Sequence, residues 1–215
     1  MTIKYCIWDV GNTIYDYSLD PLNNMMRERT SDAAAYDKNG GVYKYDYDPY
    51  MKGDVSFRSL CEDLCRKCDV KFTEDMPARI NKSLHEGVGE YYPETRKAMT
   101  DMKNAGVHNC ILSNALPILA DTGNVKGLVD KRNIFCSFSI GFLKPDPTIF
   151  KCVELMLDCE PSEILFIDDK TKNTAAAAKL GFNTITFNRK TINEDIKKYV
   201  PRRTRPRIRN YGKSR

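Results

Sequence analysis

The chain has 215 residues, 41% of them hydrophobic and 29% charged, which is enough to bury a sizeable core in one or two domains. No apolar run approaches the roughly 18 residues that a membrane helix needs, and no targeting leader precedes the first strand pattern, so a cytoplasmic protein is expected. The net charge of +5 belongs to one end: residues 201–215 hold seven of the 34 Lys and Arg and no Asp or Glu, leaving 27 basic against 29 acidic residues in the body.

The first element is an apolar run, Tyr5 to Trp8, that ends abruptly in Asp9 and a turn on Gly11 and Asn12. Such a run reads as a buried strand delivering Asp9 to its C-terminal end, where open parallel sheets hold their ligands. Asp9 there is either a turn-capping carboxylate or a nucleophile, a metal ligand, or both.

Residues 16–90 differ in character. An irregular, tyrosine-rich part with a turn at Asn39-Gly40-Gly41 comes first, and Tyr43, Tyr45, Tyr47 and Tyr50 in it suit either an inner wall or an exposed edge. A helix follows from Ser56 to Cys68 with Ser56 as N-cap, then another from Glu74 to Glu86 with Thr73 as N-cap and Pro77 in its first turn. Cys61, Cys65 and Cys68 have the spacing of an iron–sulfur signature. They also share a helix face with Phe57, Leu60 and Leu64, which favours buried thiols. Eight cysteines in a chain of this length, with no secretion signal, are expected to stay free.

From Pro93 the rhythm becomes regular. A helix runs to Ala105 and stops at Gly106; a strand from His108 to Leu112 leads into Ser113-Asn114; an alternating strand from Ile134 to Ile140 leads into a loop holding Lys144. A helix from Pro147 to Leu157, a strand from Glu163 to Ile167 ending in Asp168-Asp169, a helix from Thr174 closed by Gly181, and a strand from Thr184 to Phe187 complete the pattern. Strand–helix alternation predicts an α/β fold with a parallel sheet covered on both faces.

Asp9, Ser113-Asn114 and Asp168-Asp169 therefore terminate three parallel strands on one edge, with Lys144 between the last two. These parts suit metal-assisted phosphoryl transfer: carboxylates to hold Mg²⁺, and Ser113 and Lys144 to bind phosphoryl oxygens. Two adjacent like charges at a strand end call for a compensating cation.

In order and type the four groups resemble the motifs of the haloacid dehalogenase superfamily of phosphohydrolases: Asp9-Val10-Gly11-Asn12-Thr13, Ser113-Asn114, Lys144, and Asp168-Asp169 with Asn173. The resemblance covers about 5–190. It implies a Rossmann-like core (1–15 and 91–200) with a helical cap (16–90) inserted after the first strand. It further implies an aspartyl-phosphate on Asp9 and a Mg²⁺ site made of Asp9, the Gly11 carbonyl, Asp168 and Asp169. Ser113 and Lys144 would act on the transferring group, with Asn12, Thr13 and Asn114 on the substrate side. The implied substrate is a small phosphorylated metabolite, such as a sugar phosphate.

Gly11 departs from the family's phosphatases, most of which place a second Asp there as general acid. Glycine supplies a carbonyl but no proton, and general acid–base catalysis is typically worth ~10²–10⁴-fold. Three readings remain: a substrate with a good leaving group such as a sugar 1-phosphate; a substitute acid, with Tyr15, Asp16 and Tyr17 nearby; or a catalytically impaired binding protein. A haloacid dehalogenase proper needs no such acid, but it uses no metal and would leave the Asp168-Asp169 pair without a role. The arginine- and proline-rich residues 201–215 read as a solvated end rather than a nucleic-acid-binding arm.

Overall fold

A computed structural model of the chain describes residues 2–119 and 127–200; the basic stretch 201–215 lies outside the described residues. The organising element is a five-stranded sheet. Its strands are β1 (Tyr5–Trp8), β4 (His108–Ser113), β5 (Ile134–Cys136), β6 (Ile164–Asp168) and β7 (Asn183–Thr186). The spatial order is β5-β4-β1-β6-β7, every pairing is parallel, and β1 sits in the centre.

Both faces of the sheet are covered, which explains why β1 and β6 read as unbroken apolar runs. Cys6, Trp8, Ile111, Leu165 and Ile167 face one core with Met99 and Met102 of helix α6 (Pro93–Asn104) and Ile192 of α10 (Ile192–Asp195). Ile7, Cys110, Leu112 and Phe166 face the other with Phe150 and Val153 of α8 (Pro147–Leu157) and Ala177 of α9 (Thr171–Lys179). Full burial of each large aliphatic or aromatic side chain contributes about 1.5–3 kcal/mol. One polar group is threaded through: the Trp8 indole N–H donates to Asn109 Oδ1 at 2.9 Å, and the Asn109 amide donates to the Met99 carbonyl at 2.8 Å.

Between β1 and α6 lies a helical layer: α1 (Asp20–Arg27), α2 (Ala33–Asn39), α3 (Asp48–Met51), α4 (Phe57–Lys67) and α5 (Met76–Glu86). It has its own apolar cluster, including Leu22, Met26, Leu60, Leu64, Ile80 and Leu84. An antiparallel ribbon of β2 (Tyr15–Tyr17) and β3 (Val88–Tyr91) joins this layer to the sheet. Cys61, Cys65 and Cys68 are free and buried in the same cluster, as the helical periodicity predicts. Among the described residues, no helix is long and apolar enough to cross a membrane.

Several expectations are corrected. The run Ile134–Ile140 is not one strand: after Cys136 it turns into a single helical turn, α7 (Ser137–Ile140), closed by Gly141 at φ +84. The reason is tertiary, because Ser137 Oγ reaches the Met51 carbonyl at 2.7 Å. The N-cap position of helix α5 falls on Asp75 rather than Thr73, without a side-chain capping bond, and the Thr73 hydroxyl donates to the Asp75 carboxylate at 2.5 Å. Helix α9 begins at Thr171, a turn earlier than Thr174, because Asn173 N–H bonds back to the Lys170 carbonyl at 2.9 Å. The stretch before Ser56, expected to be irregular, holds α1–α3; the turn at Gly40-Gly41 stands, with φ of +80 and +48. Of its four tyrosines, Tyr50 is buried and Tyr43 is exposed, so the segment is neither wholly wall nor wholly edge.

Candidate active site

Because β1, β4 and β6 run parallel, their C-terminal ends share one edge, and the loop before α8 brings Lys144 down onto it. The Lys144 ammonium lies at the centre. It donates to Asp9 Oδ1 at 2.6 Å, to Asp168 Oδ2 at 2.7 Å and to the Leu112 carbonyl at 2.7 Å, with its side chain 1% exposed. Three donors thus meet three acceptors, which makes burial of this cation tolerable. Burial works against the charge, but Asp9 and Asp168 more than offset it and hold the lysine above its ordinary pKa.

Lys144 is itself held by Asn114. The Asn114 amide donates to the Lys144 carbonyl and accepts from the Lys144 N–H, both at 2.9 Å. Asp168 is fixed in the same manner, accepting from the Lys170 N–H and from the Asn173 amide at 2.9 Å. Asn173 projects from the first turn of α9, where a helix N-terminus also favours an anion.

Asp9, Asp168 and Asp169 each offer a carboxylate oxygen within 4.8 Å of the other two, the one such group of metal-binding side chains among the described residues. One further observation bears on what they hold. Asp169 Oδ1 is buried with no hydrogen-bond partner. Burial, reinforced by the Asp9 charge, raises the Asp169 pKa, and burial likewise raises that of Asp9 against the pull of Lys144. Three crowded carboxylates sharing one ammonium, with an acceptor left over, fit an oxygen-seeking divalent cation such as Mg²⁺. Gly11, whose carbonyl was expected as a further ligand, lines the same cavity.

The remaining expected residues divide. Ser113 closes β4 and lines the cavity with Asn114. Asn12 lines it too, but its side chain has local work: at φ +59, a conformation asparagine tolerates, its Oδ1 accepts from the Tyr17 N–H at 3.2 Å. Thr13 is fully buried and not among the cavity's lining residues; its carbonyl accepts from Thr95 Oγ1 at 2.7 Å. Gly11 has no positive φ, and a Cβ there would meet only Tyr17 Cβ at 3.6 Å, an ordinary contact. Neither backbone nor space requires a glycine at this position.

The cavity measures about 270 Å³, near the lower end of the roughly 300–1,000 Å³ usual for small-molecule sites. Its floor is the polar edge of the sheet. Its opposite wall comes from Tyr17, Leu19, Tyr47 and Met51, with Leu116 and Leu119 of the loop after β4. Sequence reasoning did not single out Leu19, Met51 or these two leucines, because apolar residues outside a periodic pattern carry no signal. Asn173, already part of the fourth motif, lines the site as well; Lys170 also lines it and was not singled out, its closeness to the Asp168-Asp169 pair being the available clue.

Among curated relatives, bifunctional epoxide hydrolase 2 of Sus scrofa is 31% identical over 150 residues, covering 63% of this chain and 27% of that protein. Acyl-CoA dehydrogenase family member 10 of Mus musculus is 28% identical over 145 residues, covering 65% and 13%, and (S)-2-haloacid dehalogenase 4A of Burkholderia cepacia 28% over 100 residues, covering 46% and 43%. The chain thus spans less than half the length of each. Among solved structures, a haloacid dehalogenase-family enzyme of Bacteroides thetaiotaomicron, in complex with magnesium and inorganic phosphate, superposes with a TM-score of 0.70 at 17% identity, over 86% of this chain and 94% of that one. The L-2-haloacid dehalogenase of Xanthobacter autotrophicus, with chloropropionic acid covalently bound, gives 0.56 at 18% identity, over 85% and 76%. These two share the fold. A profile of haloacid dehalogenase-like hydrolases matches residues 3–181, a span that includes every carboxylate, the serine and the lysine of the site, and the chain belongs to that hydrolase family.

Proposed function

We propose that the protein is a Mg²⁺-dependent phosphatase that hydrolyses a small phosphomonoester through an aspartyl-phosphate on Asp9. The observation that carries this reading is the group of Asp9, Asp168 and Asp169, whose oxygens lie within 4.8 Å of one another while one Asp169 oxygen has no partner. A halide-displacing enzyme has no use for that surplus of negative charge, whereas a site for a divalent cation and a phosphoryl group does.

In this mechanism Asp9, Asp168, Asp169 and the Gly11 carbonyl hold the ion. When bound, it neutralises charge on the phosphoryl oxygens. A carboxylate oxygen of Asp9 attacks phosphorus, the bond to the leaving oxygen breaks, and that oxygen takes a proton from solvent. Water then attacks the aspartyl-phosphate, releasing inorganic phosphate and restoring the carboxylate. Lys144 favours the ionised form of Asp9 against burial and orients it, and its charge with the Ser113 hydroxyl favours the developing negative charge. The helical layer of residues 16–90 acts as the cap that excludes water and selects the substrate.

Phosphate release from a panel of phosphomonoesters, with and without Mg²⁺, compared between wild type and Asp9→Asn, tests the reading. Turnover that needs Mg²⁺ and vanishes in Asp9→Asn supports it. Equal inactivity of both proteins on every ester, including an activated aryl phosphate, overturns it in favour of a binding protein without turnover.

A further inference from the structure

Two lysines line the cavity, and only one of them is occupied. Lys144 is sealed and commits its donors to Asp9, Asp168 and the Leu112 carbonyl. Lys170 is exposed, and among the described residues its ammonium makes no ion pair and no hydrogen bond. Its charge nonetheless reaches the carboxylates. Burial and the Asp9 charge push the Asp169 pKa up, and Lys170 is the largest influence pulling it down, ahead of Lys144. Solvent screens an exposed charge more than a buried one, so Lys170 outweighs the sealed Lys144 only by standing nearer to Asp169.

The position is an unfavourable one for a cation. Lys170 is the N-cap residue of α9 and makes no side-chain capping bond, where Ser, Thr, Asp or Asn would accept from a first-turn N–H. Its charge also stands at the positive end of that helix. An anion held beside it turns this repulsion into attraction from both groups. The charges of the site call for the same thing. Lys144 and a divalent ion together balance the three negative charges of Asp9, Asp168 and Asp169, so a phosphomonoester, close to a dianion at pH 7, enters with nothing left to neutralise it. Apart from Lys144 and Lys170, no Lys, Arg or His occurs among the described lining residues.

Resting on the phosphatase reading above, we infer that Lys170 is a phosphate-binding residue, the second cation of the site, which meets the phosphoryl oxygens from the open side of the cavity while Lys144 holds Asp9 from the sealed side. Recognition of a second anionic group on the substrate is the competing use of this lysine. Charge balance disfavours it, because the phosphoryl group already needs the one uncommitted cation.

The test reads binding rather than turnover. Inorganic phosphate is titrated calorimetrically, at saturating Mg²⁺, into wild type, Lys170→Met, Lys170→Arg and Lys172→Met; the last removes the same charge from an exposed α9 residue that is not among those lining the cavity. Mg²⁺ alone is titrated into the same proteins, and 3-phosphonopropionate is compared with propylphosphonate. Lys170→Met should bind phosphate and both phosphonates about tenfold more weakly, with Lys170→Arg retaining most of the affinity and Lys172→Met within about twofold of wild type. Mg²⁺ alone should bind Lys170→Met more tightly than wild type, since a neighbouring cation has gone; opposite effects on the two ligands are not what a merely structural residue produces. The inference is overturned by unchanged phosphate affinity in Lys170→Met, by an equal loss in Lys172→Met, by weaker Mg²⁺ binding in Lys170→Met, by a loss confined to 3-phosphonopropionate, or by no phosphate binding in wild type. Mg²⁺-dependent phosphate release that is lost in Asp9→Asn would then leave the phosphatase reading standing without it.

Discussion

Replacing Lys144 by methionine tests the electrostatic design of the site. Methionine keeps an unbranched stem against Phe166, whose ring centre lies 5.4 Å from the ammonium, so packing is nearly conserved and charge is what changes. The ammonium's three hydrogen bonds disappear, and Asp9 and Asp168 are left facing each other with Asp169 beside them. Removing one member of a buried ion pair costs about 3–5 kcal/mol, because the remaining charge stays buried without compensation. Against a total stability of about 5–15 kcal/mol, that is a large loss. Urea unfolding followed through the fluorescence of Trp8, the chain's one tryptophan, measures it. Magnesium should recover part of it: a divalent ion at a hundred times its dissociation constant adds about 2.7 kcal/mol to the folded state. A variant within about 1 kcal/mol of wild type without Mg²⁺ would refute the argument that Lys144 balances buried carboxylates. A full loss that Mg²⁺ leaves unchanged would refute the assignment of those carboxylates to the ion.

Gly11→Asp should fold normally, since the position has room and an ordinary backbone, and should raise kcat on alkyl phosphates by about 10²-fold while barely affecting activated aryl phosphates; equal effects on both classes would show that proton donation is not what the site lacks. Asn109→Ala strands the Trp8 indole N–H in the core, and urea unfolding should report a loss of about 1–3 kcal/mol for that orphaned donor. Gly53→Ala places a methyl 2.7 Å from the Phe138 carbonyl at φ +81; a thermal melt should show a loss of at least about 1–3 kcal/mol, with weakened binding at the Met51 wall as α3 is pushed from α7. Thiol titration of the native protein should label only Cys152 and Cys159, the two cysteines that are not buried, and all eight after unfolding; rapid labelling of Cys61, Cys65 or Cys68 would contradict their packing in the helical layer's apolar cluster.

Much of the sheet and of the candidate site at its edge was legible in the amino-acid sequence. The adjacent carboxylates of Asp168-Asp169 at a strand end have few structural explanations, and parallel strands carry their C-terminal ends, Asp9 included, to a common edge. Helices α4 and α8 were readable from local chemistry alone: Ser56 accepts from the Ser59 N–H, and Pro147 stands in the first turn of α8 behind Asp146, whose side chain accepts from the Thr148 N–H. Tertiary structure decided the rest. The ribbon of β2 and β3 escapes a sequence reading because its strands are 3 and 4 residues long and lie some seventy residues apart, so each is defined only by the other. The turn at Ser137 depends on the Met51 carbonyl, supplied from another part of the chain. Residue types foretold which groups could do the chemistry. Only the packing of the helical layer over the sheet edge determined what they face: Lys144 sealed between two carboxylates, and a largely apolar wall of Tyr17, Leu19, Tyr47 and Met51.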